Sequence, residues 1–274
     1  MRRRVGLLIL VALLLVTLSQ AQFGRRGQRD SEGPYTPPDR EFHFLRVQYT
    51  DAPEFGRGFG FGSRSGMGFG WWMVDWPDAD DHFSEGIGRL TRIDIGKPKH
   101  VRLTDDDRVF DYPWIYATQT GNWALSDRET ARLREHLLRG GFLVTDDMWG
   151  DAAWQNFQQT MARVLPGEAI PDLAETDPVM HVLYDIREKD RTFIPGSRHL
   201  YRDGSGGVKI MQPQGTSPAW RALYDGRGHM VVAVNYDTDV ADAWEFADAP
   251  FYPENMTALA YRYGINYIIY AITH

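Results

Sequence analysis

The strongest structural signal in the sequence lies in residues 113–147, which read PWIYATQTGNWALSDRETARLREHLLRGGFLVTDD. An apolar run of strand length opens this stretch. Ser126 and Glu129 then fit the capping box of a helix that carries leucines four residues apart on one face and ends at paired glycines. A second apolar run follows at 142–144. A strand, a helix and a strand within about 30 residues predict a βαβ unit with two parallel strands.

Further strands and helices are predicted on both sides of this unit. The runs at 142–144 and 230–234 are apolar throughout, which is typical of parallel strands covered on both faces. The segment 168–225 carries weaker signals. The other predicted strands lie at 43–50, 100–103, 199–201 and 208–211, and the other predicted helices at 78–90, 152–165 and 255–274. The sequence therefore predicts a single α/β domain at 42–274 with a mainly parallel sheet.

Residues 1–21 have the pattern of a cleaved secretory signal peptide. Three arginines precede an apolar run at 5–18, and Ser19 and Ala21 place small residues where signal peptidase requires them. The run is shorter than the roughly 20 residues that cross a bilayer, and an uncleaved membrane anchor is the alternative. We therefore expect export to the periplasm or the exterior, with membrane contact only through an uncleaved signal segment. The Gly- and Pro-rich residues 22–41 follow as a predicted flexible tether.

Composition and missing motifs exclude several classes of protein. The chain has 274 residues, 43% of them hydrophobic, which is typical of a packed protein rather than a disordered one. It has no cysteine, which excludes a disulfide scaffold, a cysteine-based zinc site and a cysteine nucleophile. The net charge of -7 disfavours nucleic-acid binding. The serine elbow and the paired histidines of zinc enzymes are also missing, so no catalytic residue or cofactor is predicted and a non-enzymatic role is favoured.

Polar residues follow the predicted strands and form the candidate ligand site. Ligands of open α/β sheets bind beyond the carboxyl ends of the strands, where loops and helix N-termini meet. Neighbouring carboxylates there would raise one another's pKa or require a cation or a basic ligand. The alternative is ordinary turn chemistry, in which Asp146 and Asp147 cap the next helix and Asp237 opens a turn. The predicted ligand-binding residues are Asp51, Gln119, Asp146, Asp147, Trp149, Asn235 and Asp237.

A tryptophan cluster follows the glycine-rich stretch at 56–70. Trp71, Trp72 and Trp76 could stack on sugar rings as part of a lid over the site, and the alternative is that they pack in the core. The glycine-rich stretch lacks the spacing of a phosphate-binding loop. A carbohydrate or an envelope glycan is therefore the favoured class of ligand.

Two acidic runs also stand out, one at 75–82 and one at 237–242. They offer carboxylate oxygens and one imidazole, but neither matches the calcium loop of an EF-hand, which needs a glycine and a closing glutamate. Acidic runs usually lie on solvated faces. On this basis no metal site is predicted.

A resemblance to a known family is carried by three stretches, GGFLVTDD at 140–147, NYDTDVADAWE at 235–245 and ALAYRYGINYIIYAITH at 258–274. They resemble the bacterial domain of unknown function 4159, and the likeness covers most of the chain from residue 42 onward. That family resembles the class I glutamine-amidotransferase-like superfamily, which implies a flavodoxin-like three-layer α/β sandwich with a mainly parallel sheet. The amidotransferase reaction is not implied, because it needs a cysteine that this chain lacks.

Three functions are consistent with these observations. The first is a non-catalytic exported domain that binds a small molecule, a glycan or an envelope protein at the carboxyl rim of its sheet. The second is a carboxylate-dependent, glycosidase-like hydrolase, which requires two carboxyl groups about 5 to 10 Å apart in one cleft. The third is a structural module of an envelope complex.

Overall fold

A computed structural model describes residues 38–53, 70–104 and 107–274 of the chain. The predicted signal peptide, most of the predicted tether and most of the glycine-rich stretch lie outside the described residues. Every structural statement below concerns the described ranges.

A mixed sheet forms the centre of the protein. Its strand order is β2-β1-β3-β4-β8-β7, and a separate antiparallel hairpin pairs β5 with β6. Five strands run parallel, and β7 pairs antiparallel with β8 at the edge. The strands are β1 Leu45–Gln48, β2 Lys99–Arg102, β3 Trp114–Thr118, β4 Phe142–Met148, β5 Leu200–Arg202, β6 Val208–Ile210, β7 Ala219–Tyr224 and β8 Met230–Tyr236.

Helices cover both faces of the sheet. Successive strand residues alternate between two apolar cores, as period-two strands require: Phe142 belongs to one core and Leu143 to the other. The first core includes α1, α4 and α5, and the second includes α2 and α3. In the part of the chain that the structure describes, no helix is long and apolar enough to cross a membrane. The helices are α1 Asp78–Leu90, α2 Asp127–Leu138, α3 Gly150–Val164, α4 Val240–Glu245 and α5 Glu254–Thr273.

The βαβ prediction is confirmed by the parallel pairing of β3 with β4 on either side of α2. The capping box is present, because Ser126 Oγ accepts a hydrogen bond from the Glu129 amide at 3.2 Å and Glu129 Oε2 accepts one from the Ser126 amide at 2.8 Å. Two elements were not predicted, the edge strand β7 and the short helix α4. In addition, β4 is longer than the predicted apolar run at 142–144. It continues through the buried polar residues 145–147 to Met148.

Candidate functional site

The carboxyl ends of β3, β4 and β8 lie side by side at one rim of the sheet. At each of these ends the backbone turns through one non-glycine residue with positive φ, namely Gln119 at 52°, Asp147 at 52° and Asp237 at 51°. Such left-handed residues are uncommon, and Asn and Asp tolerate the conformation better than most. The turns bring side chains from distant parts of the chain to one rim.

Asp146 connects β4 to the start of α4. Its Oδ2 atom accepts hydrogen bonds from the amides of Val240 and Ala241 at 2.9 Å each, and from the Tyr116 hydroxyl at 3.2 Å. Its Oδ1 atom is buried and has no hydrogen-bond partner among the described residues. Burial, and next the charge of Asp147, raise the pKa of Asp146 to about 8. Asp146 therefore anchors α4, which is remote in sequence, rather than the helix that follows β4.

Asp147 is held by three donors at the same rim. Its carboxylate accepts hydrogen bonds from the side chains of Gln119 and Trp149, and Arg198 Nη2 lies 3.5 Å from its Oδ1 atom. The carboxylate is almost fully buried, whereas the Arg198 side chain is about half exposed. Burial raises the pKa of Asp147 to about 6, although Arg198 and Trp149 act in the opposite direction. Gln119, Asp147 and Trp149 thus form one contact group.

Asp147 also belongs to a group of five neighbouring carboxylates, which we call the acidic cluster: Asp75, Asp147, Asp239, Asp242 and Glu245. Oxygen atoms of Asp75, Asp147 and Asp239 all lie within 4.8 Å of one another, and so do those of Asp75, Asp242 and Glu245. Asp75 is common to both sets. Two ionised carboxylates at that separation repel each other by about 3 kcal/mol at an effective dielectric constant of about 20. The cluster therefore requires protons, a cation or a basic ligand.

Three members of the acidic cluster are buried, and Asp75 and Glu245 are partly buried. Asp239 is 2% exposed and Asp242 is 7% exposed. The Oδ2 atom of Asp75 is buried and accepts no hydrogen bond from the described residues. Burial is the main cause that raises the pKa of Asp75 and of Asp239 well above the usual range, and the neighbouring carboxylates add to it.

Backbone contacts fix the cluster from two sides. Asp239 is the N-cap of α4 and accepts a hydrogen bond from the Asp242 amide at 3.0 Å, while Asp242 accepts one from the Ser197 amide. The Ser197 loop comes so close that a Cβ atom at Gly196 would lie 2.6 Å from Asp239 Oδ2. Only glycine fits there without displacing the carboxylate. Asp75, with a φ of 64°, comes from a separate segment that follows the 3-10 turn Trp71–Met73.

Arg46 holds the segment that carries Asp75. It is completely buried on β1, and its Nη1 atom donates hydrogen bonds to the carbonyl oxygens of Val74 at 2.8 Å and Trp72 at 3.2 Å. Its other guanidinium nitrogens bind both carboxylate oxygens of Asp80. This arginine therefore links β1, the segment before α1 and α1 itself.

Three of the predicted ligand-binding residues have structural partners at the rim. Asp237 accepts hydrogen bonds from the Gly150 amide at 2.9 Å and from the Ser217 amide at 2.8 Å. Asn235 Oδ1 accepts one from the Tyr267 hydroxyl at 2.9 Å. Asp51 accepts one from the Trp71 amide at 3.0 Å and so fixes the segment that leads to Asp75. Gln119, Asp146, Asp147 and Trp149 are the predicted residues that lie at or beside the acidic cluster.

The remaining members of the cluster, Asp75, Asp239, Asp242 and Glu245, were not among the predicted ligand-binding residues. Apart from Glu245, they lie in the two acidic runs that the sequence indicated as solvated faces. That interpretation is wrong for Asp80, Asp239 and Asp242, which are buried. The density of acidic residues was visible in the sequence, but their burial depends on how Asp146 and Arg46 position α4 and the segment before α1.

The predicted lid tryptophans differ from one another in packing. Trp72 is buried in the second core, and its ring centroid lies 5.2 Å from that of His100. Trp76 contacts the same histidine at 5.5 Å, and the Arg46 guanidinium lies 5.9 Å from its ring. Trp71 and Trp76 are only partly buried. The core alternative therefore describes Trp72, while Trp71 and Trp76 keep part of their surface exposed.

We expect Asp237→Ala to lower the free energy of unfolding by about 2–4 kcal/mol, because it removes the acceptor of two part-buried backbone hydrogen bonds and places alanine at positive φ. Asp237→Asn keeps one acceptor oxygen and tolerates the backbone angle, so its loss should be roughly half as large. Urea denaturation of the two variants measures the difference. Equal losses, or a loss below about 0.5 kcal/mol for alanine, would contradict a structural role.

Comparison with known proteins identifies the family of the chain. A search of curated proteins finds no match. The family model described as "Domain of unknown function (DUF4159)" matches residues 64–272, which is most of the chain and includes the acidic cluster. This match confirms the resemblance carried by the stretches at 140–147, 235–245 and 258–274. The chain belongs to the family of the domain of unknown function 4159.

Proposed function

We propose that this protein is a non-catalytic binding domain whose ligand occupies the carboxyl rim of its sheet, at the acidic cluster. The proposal is carried by one observation. Five carboxylates from three separate segments form two sets of three, in which oxygen atoms lie within 4.8 Å of one another, and most of these side chains are buried. Such crowding of like charge opposes folding unless protons, a cation or a basic ligand compensate it, and a bound ligand does so without neutralising the carboxylates. Ligands with positive charge, or with several hydroxyl donors, satisfy buried carboxylates best.

The contact group of Gln119, Asp147 and Trp149 adds an aromatic side chain to the proposed site. The Trp149 ring lies 4.8 Å from that of His199, and the Arg198 guanidinium lies 5.0 Å from the Trp149 ring. An aromatic face next to carboxylate acceptors is the combination that stacks on sugar rings while binding their hydroxyls. A glycan is thus one ligand class that this half of the site suits.

The fold assignment and the location are further parts of the proposal. The order β2-β1-β3-β4-β8 with a parallel arrangement corresponds to the 2-1-3-4-5 order of flavodoxin-like sheets, which supports a place near the glutamine-amidotransferase-like superfamily. In such sheets ligands bind outside the carboxyl ends of the strands, where the acidic cluster lies. Export to the periplasm or exterior is proposed from the signal pattern at 1–21.

A thermal-shift screen against sugars, polyamines, small acids and divalent cations tests the proposed function. A ligand that binds the folded state raises the melting temperature by mass action. We expect a hit whose shift is lost in Asp147→Asn and retained in Asp151→Asn, an exposed control in the first turn of α3. No shift from any of these classes, or a hit that is insensitive to Asp147→Asn, would refute binding at the rim.

A carboxylate-dependent hydrolase is the second candidate, and the pair Asp147 and Asp239 favours it. Their oxygens lie within 4.8 Å of each other, which is close enough for two carboxyl groups to act on one bond, as the pair about 5 Å apart does in retaining glycosidases. The pKa of Asp147 is raised to about 6 and that of Asp239 is raised well above its usual range, both mainly by burial, as the acid of such a carboxyl pair requires. Hydrolysis of chromogenic glycosides that is abolished by Asp147→Asn would select this function over binding alone.

A further inference from the structure

We infer that the acidic cluster is a binding site for a hard divalent cation of the size of Ca²⁺, with Asp75 as the shared ligand. This inference rests on the proposed function and names the ligand class of the same site. Nothing in the family description assigns a metal to these residues.

The donor set fits this class of ion. All five side chains offer carboxylate oxygens, which are the ligands that hard cations such as Ca²⁺ prefer, and none offers sulfur or nitrogen. Ca²⁺ binds oxygen at 2.3–2.6 Å, so two ligands on opposite sides of the ion are about 4.6–5.2 Å apart. The oxygens in each set of three carboxylates lie within 4.8 Å of one another, so one such ion can reach all three. Mg²⁺ usually keeps several waters and binds through only one or two carboxylates, whereas Ca²⁺ accepts a larger and more flexible set of protein oxygens.

Two oxygen atoms without protein partners point to a missing ligand. Asp75 Oδ2 is buried, belongs to the residue that both sets share, and accepts no hydrogen bond from the described residues. Asp146 is fully buried and directly precedes Asp147 in β4, and its Oδ1 atom likewise has no hydrogen-bond partner among the described residues. Buried carboxylate oxygens are normally satisfied. A cation beside them would supply the missing interaction.

The surroundings hold the carboxylates in place for an ion. Asp239 and Asp242 are fixed by the α4 cap and by the Ser197 amide, and Gly196 leaves no room for a side chain against them. Arg46 fixes the carbonyl groups of Val74 and Trp72 next to Asp75. Among the described residues, the ion pair of the cluster with Arg198 involves Asp147, at 3.5 Å. The Arg198 side chain is about half exposed. It therefore offsets only part of the negative charge.

Calcium titration of the chelator-stripped chain tests the inference. We expect CaCl₂ at about 100 times its Kd to raise the melting temperature by about 5–10 °C relative to NaCl of equal ionic strength. Asp75→Asn should weaken Ca²⁺ binding at least tenfold by calorimetry, whereas Asp78→Asn, an exposed acid three residues further on, should leave it unchanged. Circular dichroism checks that each variant is folded.

A second variant and a second readout protect the test from a folding defect. Glu245→Gln changes a partly exposed member at the end of α4 and should also weaken Ca²⁺ binding. Tb³⁺ bound in place of Ca²⁺ should show tryptophan-sensitised emission, because Trp149 donates directly to Asp147, and Ca²⁺ should compete it away. The inference would be overturned if calorimetry showed no heat of Ca²⁺ binding and Tb³⁺ gave no sensitised emission. Ca²⁺ binding of unchanged affinity in both Asp75→Asn and Glu245→Gln would also overturn it. If sugars or polyamines still bind in an Asp147-dependent way, the proposed function stands while the cation site fails.

Discussion

Arg46→Met should lower the free energy of unfolding by about 3–5 kcal/mol, because it leaves the buried Asp80 without its partner, so that the carboxyl must stay charged in the core or take up a proton. Both side chains of this ion pair are completely buried. Arg46 Nε lies 3.0 and 3.2 Å from the two carboxylate oxygens, and the guanidinium also lies 5.0 Å from the Tyr116 ring. Methionine retains much of the apolar stem but none of these interactions.

The charges of Arg46 and Asp80 depend on each other, so removing one side chain changes the pKa of the other. Burial lowers the pKa of Arg46, but Asp80 more than offsets it, so the arginine stays charged. Burial raises the pKa of Asp80 to about 6, although Arg46 opposes the shift. Asp80 is therefore mostly ionised at neutral pH, and it would take up a proton if its partner were removed.

Guanidinium denaturation of single and double variants measures this effect. Arg46→Met combined with Asp80→Leu should recover most of the loss, because a buried ion pair and an apolar pair of similar volume are often close in stability. Arg40→Met, which breaks an exposed pair with Asp94, is the matched control and should cost less than about 1 kcal/mol. A loss for Arg46→Met as small as that of the control would show that the pair does not hold the segment before α1.

The centre of the fold could be predicted from sequence because its signals are local. The capping box at Ser126 and Glu129 needs only four consecutive residues, and the apolar runs of β3, β4 and β8 need no partner to be recognised. By contrast, β7 alternates imperfectly between buried and partly exposed residues as an edge strand, and its sequence AWRALY contains an arginine in mid-strand. Its identity as a strand depends on pairing with β8.

The candidate site could be predicted only in part, for a similar reason. The rule that ligands bind at the carboxyl ends of parallel strands pointed to Gln119, Asp146 and Asp147 without further information. It could not separate Asp237, which two backbone amides already satisfy, from Asp147, which faces other carboxylates. Nor could it include Asp75, since that residue reaches the rim through Arg46 on a different strand.

The helix that carries Asp242 and Glu245 also packs against α1 through an aromatic stack. Phe83 of α1 is fully buried, and its ring lies over that of Trp244 with centroids 4.0 Å apart and planes inclined by 17°. The α5 helix closes this contact from the other side, because a Cβ atom at Gly264 would lie 2.4 Å from Phe83 Cζ. The ring thus fills the space between α1, α4 and α5.

Phe83→Ala should therefore lower the free energy of unfolding by about 3–5 kcal/mol, through lost burial and the cavity that remains. Leu90→Ala, on the same helix with its side chain 54% exposed, is the control and should change stability by less than about 0.5 kcal/mol. Urea denaturation gives both values. Because Trp244 lies between Asp242 and Glu245, the loosened α4 should also weaken Ca²⁺ binding in Phe83→Ala and not in Leu90→Ala. Full Ca²⁺ affinity in a destabilised Phe83→Ala would mean that the carboxylates of α4 are positioned by Asp146 and the Ser197 loop alone, independently of the packing beneath them.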